Sequence, residues 1–229
     1  MPQRVVSLVP SATETLLAWG VEPIAVTRFC EQPTYPSVGG TKDPNLDAIE
    51  ELAPDLVVMC VEENRVEDAD ALVARGLSVH AIDINRVAEV ASELARLADA
   101  VGIDRGDLTM VDVPPPLPPS SRRAFVPIWR RPWMTISNNT YAWSMLDHLG
   151  IEVVLSDSPD RYPTVTDEEI RSGHPDVVIA PSEPYPFGER HRAELEAFAP
   201  VTFVDGQDLV WWGVRTPHAL DRLATALNG

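Results

Sequence analysis

Short apolar runs alternate with amphipathic segments along most of the chain, and each apolar run has the length of a buried strand. We predict strands at 5–9, 24–29, 56–59, 77–83, 124–128, 153–155, 177–180 and 201–204. We predict helices at 11–20, 46–52, 68–75, 86–101, 140–149, from 166 onwards, at 190–198 and at 217–227. Strands that alternate with helices in this way are typical of parallel sheets covered by helices, so the predicted fold class is α/β.

Two predicted helices begin with a capping signal. Ser11 with Glu14, and Thr166 with Glu169, have the spacing of a capping box. In that motif a hydroxyl and a carboxylate satisfy free backbone N–H groups of the first turn. The sequence therefore predicts that these helices begin at 11 and 166.

One segment occurs twice in the chain. Its first copy is Pro54-Asp55-Leu56-Val57-Val58, followed four residues later by Glu62. Its second copy is Pro175-Asp176-Val177-Val178-Ile179, followed four residues later by Glu183. A repeat of about one hundred residues fits a duplicated domain. We therefore predict two similar lobes with parallel sheets and a ligand cleft between them.

The repeat sets the expected domain boundaries. The N-terminal lobe covers 1–84, a connecting segment covers 85–123, and the C-terminal lobe covers 124–229. The connecting segment contains a helix with one apolar stripe and then a proline-rich run at 113–119. Such a run is predicted to be extended, polyproline-like chain that acts as a semi-rigid linker.

Charge excludes several classes of partner. The formal net charge is -17 and the isoelectric point is near 4.5. Phosphate backbones and anionic lipid headgroups would be repelled, so binding to nucleic acid or to a membrane surface is not expected. A neutral or cationic ligand, or a basic surface on a protein partner, fits this charge better. No apolar run approaches the roughly 20 residues that span a bilayer, so membrane insertion is not expected.

The N-terminal residues do not resemble a signal peptide, since Met1-Pro2-Gln3-Arg4 leads directly into an apolar strand. We therefore expect a cytoplasmic protein, or an extracytoplasmic one if the sequence begins after a removed signal. Two cysteines, Cys30 and Cys60, are too few for a disulfide framework, and reduced buried thiols are expected. The five histidines lack metal-ligand spacing, so no metal site is predicted.

Ligands of open parallel sheets bind beyond the carboxyl ends of the strands, so the loops that follow the strands are the candidate site. No residue is assigned a catalytic role. The candidate ligand-binding residues in or beside these loops are Glu14, Cys30, Glu62, Asn64, Trp129, Arg130, Trp133, Glu183, Tyr185, Trp211, Trp212 and Arg215.

Four of the six tryptophans lie in two of these loops, at 129–134 and 207–215. Their rings could fill the cores of small lobes, or they could stack on a large flat ligand. Because both loops belong to the same predicted end of a sheet, we favour a ligand surface.

Glu62 and Glu183 occupy equivalent positions in the two copies of the repeat. As paired carboxylates they could coordinate a cation or perform acid–base chemistry. The alternatives are solvated loop charges and ion pairs with arginines of the same loops. Glu14 has a structural alternative of its own, the capping box.

The segment from Arg4 to Glu14, both Pro-Asp strands and Pro132-Trp133 resemble the helical-backbone (class III) substrate-binding proteins of ABC importers. Within that superfamily the likeness is greatest to the cobalamin-binding branch. The resemblance implies two Rossmann-like lobes and a ligand held between them. In that branch aromatic residues flank the corrin ring, and Trp133 with Trp211 or Trp212 matches two such positions. The first-lobe aromatic has no counterpart after the Pro-Asp strand, where Cys60 and Val61 stand.

The resemblance implies a bacterial solute-binding protein that is not an enzyme and requires no cofactor. Its ligand would be a corrinoid, haem or a ferric siderophore, its partner an ABC permease, and its expected state a monomer. Relatives dock on the permease through a surface glutamate on each lobe, for which Glu67 and either Glu189 or Glu194 are candidates. The alternative function is a cytoplasmic enzyme that acts on a metallated cofactor through Glu62, Glu183 or Cys30.

Overall fold

The computed structural model describes residues 3–104 and 111–228, which form two compact units. The first unit contains the described residues up to Ile84, the helix at 90–100 and the short segment Trp212–Val214. The second contains Asn85–Ala88, Val113–Trp211 and the described chain from Arg215 onwards. Each unit is built around its own parallel sheet.

The sheet of the first unit has the strand order β2-β1-β3-β4, and all neighbouring strands are parallel. Its strands are β1 (Val5–Ser7), β2 (Ala25–Val26), β3 (Leu56–Cys60) and β4 (Val79–Ile82). Its helices are α1 (Pro10–Ala18), α2 (Leu46–Glu51), α3 (Val66–Ala74) and α4 (Val90–Ala100), the last preceded by a 3-10 turn, Val87–Glu89. Every residue of β1 and β3 is buried, as expected for central strands covered on both faces.

The sheet of the second unit has the order β10-β9-β5-β7, again fully parallel. Its strands are β5 (Arg123–Phe125), β7 (Glu152–Val153), β9 (Val177–Pro181) and β10 (Val201–Val204), and a separate antiparallel ribbon pairs β6 (Trp133–Met134) with β8 (Thr164–Val165). Its helices are α5 (Tyr141–His148), α6 (Asp167–Ser172), α7 (Arg192–Leu195), α8 (Gly206–Val210) and α9 (Thr216–Asn228), with a 3-10 turn at Glu189–His191.

The two sheets have the same topology, because β5, β7, β9 and β10 take the places of β1, β2, β3 and β4. The likeness extends to backbone conformation. Ala53 and His174, each directly before the repeated proline, have φ values of 45° and 46°, in the left-handed region that non-glycine residues rarely adopt. The predicted duplication of an α/β lobe is confirmed.

Helix ends show one correct capping prediction and one wrong one. Thr166 and Glu169 form the predicted capping box at α6. The box predicted for Ser11 and Glu14 is absent, because α1 already begins at Pro10 and Val9 precedes it without a side-chain cap. The fixed φ of a proline suits the first helical position, which moves the start of the helix one residue earlier.

The proline-rich run lies against the second unit, and we call residues 113–120 the Pro-rich strap. Its Leu117 N–H donates to the carbonyl of His148 at 2.8 Å, and its Ser120 N–H donates to the carbonyl of Gly150 at 2.7 Å. Gly150 has φ 72°, and a Cβ there would collide with the carbonyl of Pro118. The strap is therefore fastened to the C-terminal end of α5.

Candidate functional site

The carboxyl ends of β1, β2 and β3 lie at one edge of the first sheet. We call the loops 27–30, 41–43 and 61–64 that border it the first-unit edge. Cys30 Sγ lies 3.3 Å from the hydroxyl of Thr13, which donates to Ser7 Oγ at 2.8 Å. The Thr27 hydroxyl is 3.4 Å from the same sulfur. The structure thus places Cys30, which is partly exposed, at the first turns of α1.

Asn64 holds three parts of the first-unit edge together. Its Oδ1 accepts from the backbone N–H of Cys60 at 2.8 Å, and its Nδ2 donates to the carbonyls of Leu8 and Thr41 at 3.3 and 2.8 Å. The side chain is 7% exposed. Both hydrogens of the Asn64 amide are donated to backbone carbonyls, so its role is to position the loops rather than to contact a ligand.

Charged side chains make further contacts within the first-unit edge. Lys42 Nζ donates to the carbonyl of Glu62 at 2.8 Å, and Arg28 forms an ion pair with Asp43 at 2.9 Å. The guanidinium of Arg28 also lies over the ring of Phe29, 4.9 Å from its centroid. Glu62 is partly buried, two residues beyond the end of β3.

The structure exposes an aromatic ring that sequence reasoning missed. Phe29 is 53% exposed on the first-unit edge, and Val61 on the same edge is 56% exposed. The sequence pattern assigned Phe29 to the end of a strand, but β2 ends at Val26 and a turn follows, in which the Cys30 N–H donates to the carbonyl of Thr27. Phe29 thus supplies the first unit with an aromatic face of its own.

At the second sheet, the loops that follow β5 and β9 meet as expected. We call residues 126–131 and 182–187 the second-unit edge. Trp129 is 45% exposed, and its ring packs edge-on against that of Tyr185 with centroids 5.5 Å apart. Tyr185 in turn packs on Phe187 at 4.6 Å and on His191 at 5.5 Å. The exposed indole is therefore anchored on a packed aromatic cluster.

Arg130 lies directly beside this aromatic surface. Its guanidinium donates to the side chain of Tyr185 and forms an ion pair with Glu194 at 2.6 Å, and both interactions raise the Arg130 pKa. The side chain is 20% exposed, and that of Glu194 is 36% exposed. Arg130 Nε is buried without a hydrogen-bond partner among the described residues. The charge of Arg130 is thus matched within the second unit.

Two predicted ligand tryptophans have a different environment. Trp133 packs against Phe125, Phe187 and Phe198 of the second core, and its indole N–H donates to Asp167 at 3.0 Å. Trp212 is buried, at 3% exposure. Core packing, the alternative considered for loop aromatics, describes both positions better than ligand stacking does.

Trp211 remains partly exposed, and the guanidinium of Arg215 covers its ring at 4.9 Å from the centroid. Arg215 also donates to Gln207 at 3.1 Å and lies 3.7 Å from Asp208, whose other oxygen accepts from Arg222 at 2.7 Å. Trp211 and Arg215 thus form a cation–π pair in the segment between α8 and α9.

The remaining two candidates are carboxylates. Glu14 lies in α1 and is partly buried. Glu183 is also partly buried, two residues beyond β9, which is the place that Glu62 has beyond β3. A Cβ at Gly206 would collide with Glu183, so the glycine allows this loop to approach α8.

Burial raises the pKa of the Cys60 thiol to about 12, so this cysteine is un-ionised at neutral pH.

Within residues 3–104 and 111–228, no three His, Cys, Asp or Glu side chains are grouped so that they could hold a metal ion. In the same ranges, no helix combines the length and the apolar composition needed to cross a bilayer.

No family model matches the sequence. Among curated proteins, the chain is 25% identical over 189 residues to the vitamin B12-binding protein of Salmonella choleraesuis, a match covering 77% of this chain and 71% of that protein. It is also 25% identical over 201 residues to the vitamin B12-binding protein of Pectobacterium carotovorum, covering 80% and 73% of the two chains.

Solved structures share the fold. The periplasmic vitamin B12-binding protein BtuF of Vibrio cholerae superposes with a TM-score of 0.78 and 21% identity, over 99% of this chain and 96% of that one. The periplasmic heme-binding protein BhuT superposes with a TM-score of 0.80 and 21% identity, over 98% and 97%. The heme-binding protein HutB of Vibrio cholerae gives 0.79 and 19%, over the full length of both chains.

These relatives correct one prediction and confirm another. The expected cytoplasmic location is wrong, since the relatives are periplasmic binding proteins. That expectation depended on the first residues, which bear on export only when a sequence starts where the natural protein does. The relatives are binding proteins rather than enzymes, which confirms the predicted class of protein. By fold and by sequence, the chain is therefore a relative of the class III, helical-backbone substrate-binding proteins of ABC importers.

Proposed function

We propose that this protein is an extracytoplasmic receptor that binds a large, flat, metallated small molecule, with a corrinoid as the first candidate. The observation that carries the proposal is the exposed indole of Trp129, held edge-on by Tyr185 at the carboxyl end of the second sheet. A fixed aromatic face offers a large contact area and loses little conformational entropy when a ring system stacks on it.

Phe29 gives the first unit a comparable feature. Its ring is exposed, and the cation of Arg28 beside it is already paired with Asp43. Together with exposed Val61, this makes an apolar contact surface at the carboxyl end of the first sheet. The names of the relatives, which refer to vitamin B12 and heme, support a ligand of this shape.

Delivery of the ligand to an ABC permease belongs to the same proposal. Glu189 and Glu194 are engaged by Arg192 and Arg130, which leaves Glu67, exposed in the first turn of α3, as the stronger docking candidate. An assembled importer should therefore lose ligand-stimulated ATP hydrolysis with Glu67→Ala, and unchanged stimulation would remove Glu67 from this role.

The test of ligand binding is a titration of the purified protein with cyanocobalamin, haem and a ferric hydroxamate siderophore. Tryptophan quenching and visible absorbance should saturate with at least one of them. Trp129→Ala should weaken that binding by about 10- to 100-fold, the usual effect of losing a central aromatic contact. Absence of any response to all three ligands would contradict the proposal.

Leu117→Ala is the matched control for Trp129→Ala. Leu117 is 49% exposed, close to the exposure of Trp129, but it lies on the Pro-rich strap beside the C-terminal end of α5. That strap is at the amino-terminal edge of the second sheet, since Gly150 leads into β7. Equal loss of binding in the two variants would show that exposed apolar area in general, rather than Trp129, is responsible.

A further inference from the structure

Resting on the proposed function, we infer that Arg130 binds an uncharged oxygen acceptor of the ligand beside Trp129, such as a carboxamide, in preference to a carboxylate. Glu194 gives Arg130 this preference because it neutralises the guanidinium charge. The juxtaposition behind this inference is the exposed ring of Trp129 next to a guanidinium that already has an acidic partner.

The first step concerns the charge of the pair. Arg130 and Glu194 are 2.6 Å apart and only 20% and 36% exposed. At such a distance, and with this much burial, the two charges largely cancel for any group that approaches them. A ligand carboxylate that accepts from Arg130 would also be repelled by Glu194 close by, so its net attraction to the site is reduced while it still loses its own hydration.

The second step concerns hydrogen-bond donors. A guanidinium has five N–H groups, and Glu194 and Tyr185 account for only part of this number. The Nε–H is buried, so the donors that remain for a ligand carbonyl oxygen are those of the two terminal nitrogens of the 20% exposed side chain. An amide or ester oxygen loses less hydration than a carboxylate does when it leaves water, so a neutral acceptor fits a charge-balanced donor better.

The neighbouring cations do not restore a net positive site. Arg192 is held by both Glu189 and Glu196, at 2.7 and 3.1 Å. Arg131 and Arg190 are exposed, and solvent and salt screen charges in that position. The net charge of the site beside Trp129 is therefore set by Arg130 and Glu194.

The experiment compares two matched pairs of probes on the wild-type protein. One pair is cyanocobalamin and its monocarboxylic acid, in which a single side-chain amide has been hydrolysed. The other is haem dimethyl ester and haem with free propionates, in the same dilute detergent. Where a pair binds, we expect the member without a free carboxylate to have a Kd about tenfold lower than that of the other member. Equal or tighter binding of the carboxylate would overturn the inference.

Glu194→Gln provides the second arm, since it removes the compensating charge and keeps a side chain of the same size. The preference for the probe without a free carboxylate should fall at least threefold or invert, whereas Glu189→Gln, the control, should leave it unchanged. An unaltered preference in Glu194→Gln would also overturn the inference, and the wild-type ratio decides the matter if that variant does not fold. If none of the four probes binds to the wild-type protein but the ferric siderophore does, the inference is overturned and the proposed function stands. If the siderophore also fails to bind, the proposed function fails and the inference fails with it.

Discussion

The carboxylate of Asp55 accepts a hydrogen bond from the backbone N–H of Arg4 at 2.7 Å, and the backbone N–H of Asp55 donates to the carbonyl of Arg4 at 2.8 Å. Asp176 and Arg123 repeat this exchange in the second unit, at 2.9 and 2.8 Å. In each unit the pair lies where two parallel strands begin. The repeated Pro-Asp segment thus fixes the register of β1 against β3 and of β5 against β9.

Removal of either aspartate should therefore weaken the sheet at its centre. We expect Asp55→Ala and Asp176→Ala each to lower the free energy of unfolding by about 1–2 kcal/mol, because a strand-end N–H loses a charged acceptor. Urea unfolding followed by circular dichroism measures this. Asp47→Ala is the control, since Asp47 is 83% exposed and its ion pair with Arg75 should contribute less than about 1 kcal/mol. Equal effects at positions 47 and 55 would contradict the register role.

Gly20 and Gly150 allow a direct test of the Pro-rich strap. Both follow the last turn of a helix with nearly the same φ, 75° and 72°. A Cβ at Gly20 would meet nothing within 4 Å, whereas one at Gly150 would collide with the Pro118 carbonyl. Gly20→Ala should cost about 1–2 kcal/mol for the left-handed conformation alone, and Gly150→Ala should cost more. Similar melting temperatures for the two variants would mean that the strap is not held at Gly150.

Substitutions of Trp133 and Trp129 should have different effects, the first mainly on stability and the second mainly on ligand binding. Trp133→Ala removes a partly buried ring packed on three phenylalanines and should destabilise the protein by about 2–3 kcal/mol, somewhat less than the truncation of a fully buried aromatic. Trp129→Ala should cost much less stability, because nearly half of that side chain is already exposed. Chemical denaturation of both variants tests this. A larger loss of stability at position 129 would refute the assignment of the two roles.

The two cysteines should differ in reactivity. Cys60 is buried, and its pKa of about 12 leaves almost no thiolate at pH 8, whereas Cys30 is partly exposed. Iodoacetamide should therefore modify Cys30 in the folded protein and reach Cys60 only after denaturation, as followed by mass spectrometry. Cys30→Ser should abolish labelling of the folded protein. Rapid modification of Cys60 without denaturant would show that the first core opens readily.

Much of the fold could be predicted from sequence, because it depends on local rules. The Pro-Asp repeat indicated two similar parallel sheets, and Asn45, Thr140 and Thr166 cap their helices through short-range contacts. The ribbon of β6 and β8 and the helix α8 were missed, since their runs of two and five residues show no clear periodicity.

The site was harder to predict, because sequence places a side chain in a loop without fixing which way it points. Trp129 and Trp133 are four residues apart, yet one is exposed and the other is partly buried against the core. Asn64 carries a side-chain amide of the kind that often contacts ligands, but long-range hydrogen bonds to Leu8 and Thr41 occupy its NH2 group. Phe29 was overlooked because a strand shorter than predicted leaves its ring in a turn.

The three hydrogen bonds of Asn64 have a consequence for the kinetics of recognition. They join the end of β1, the end of β3 and the loop at Thr41 before any ligand arrives. A loop that is already ordered loses little entropy in the encounter, so capture at this surface should not wait for local folding. Differences in affinity between ligands would then arise mainly from differences in their dissociation rates.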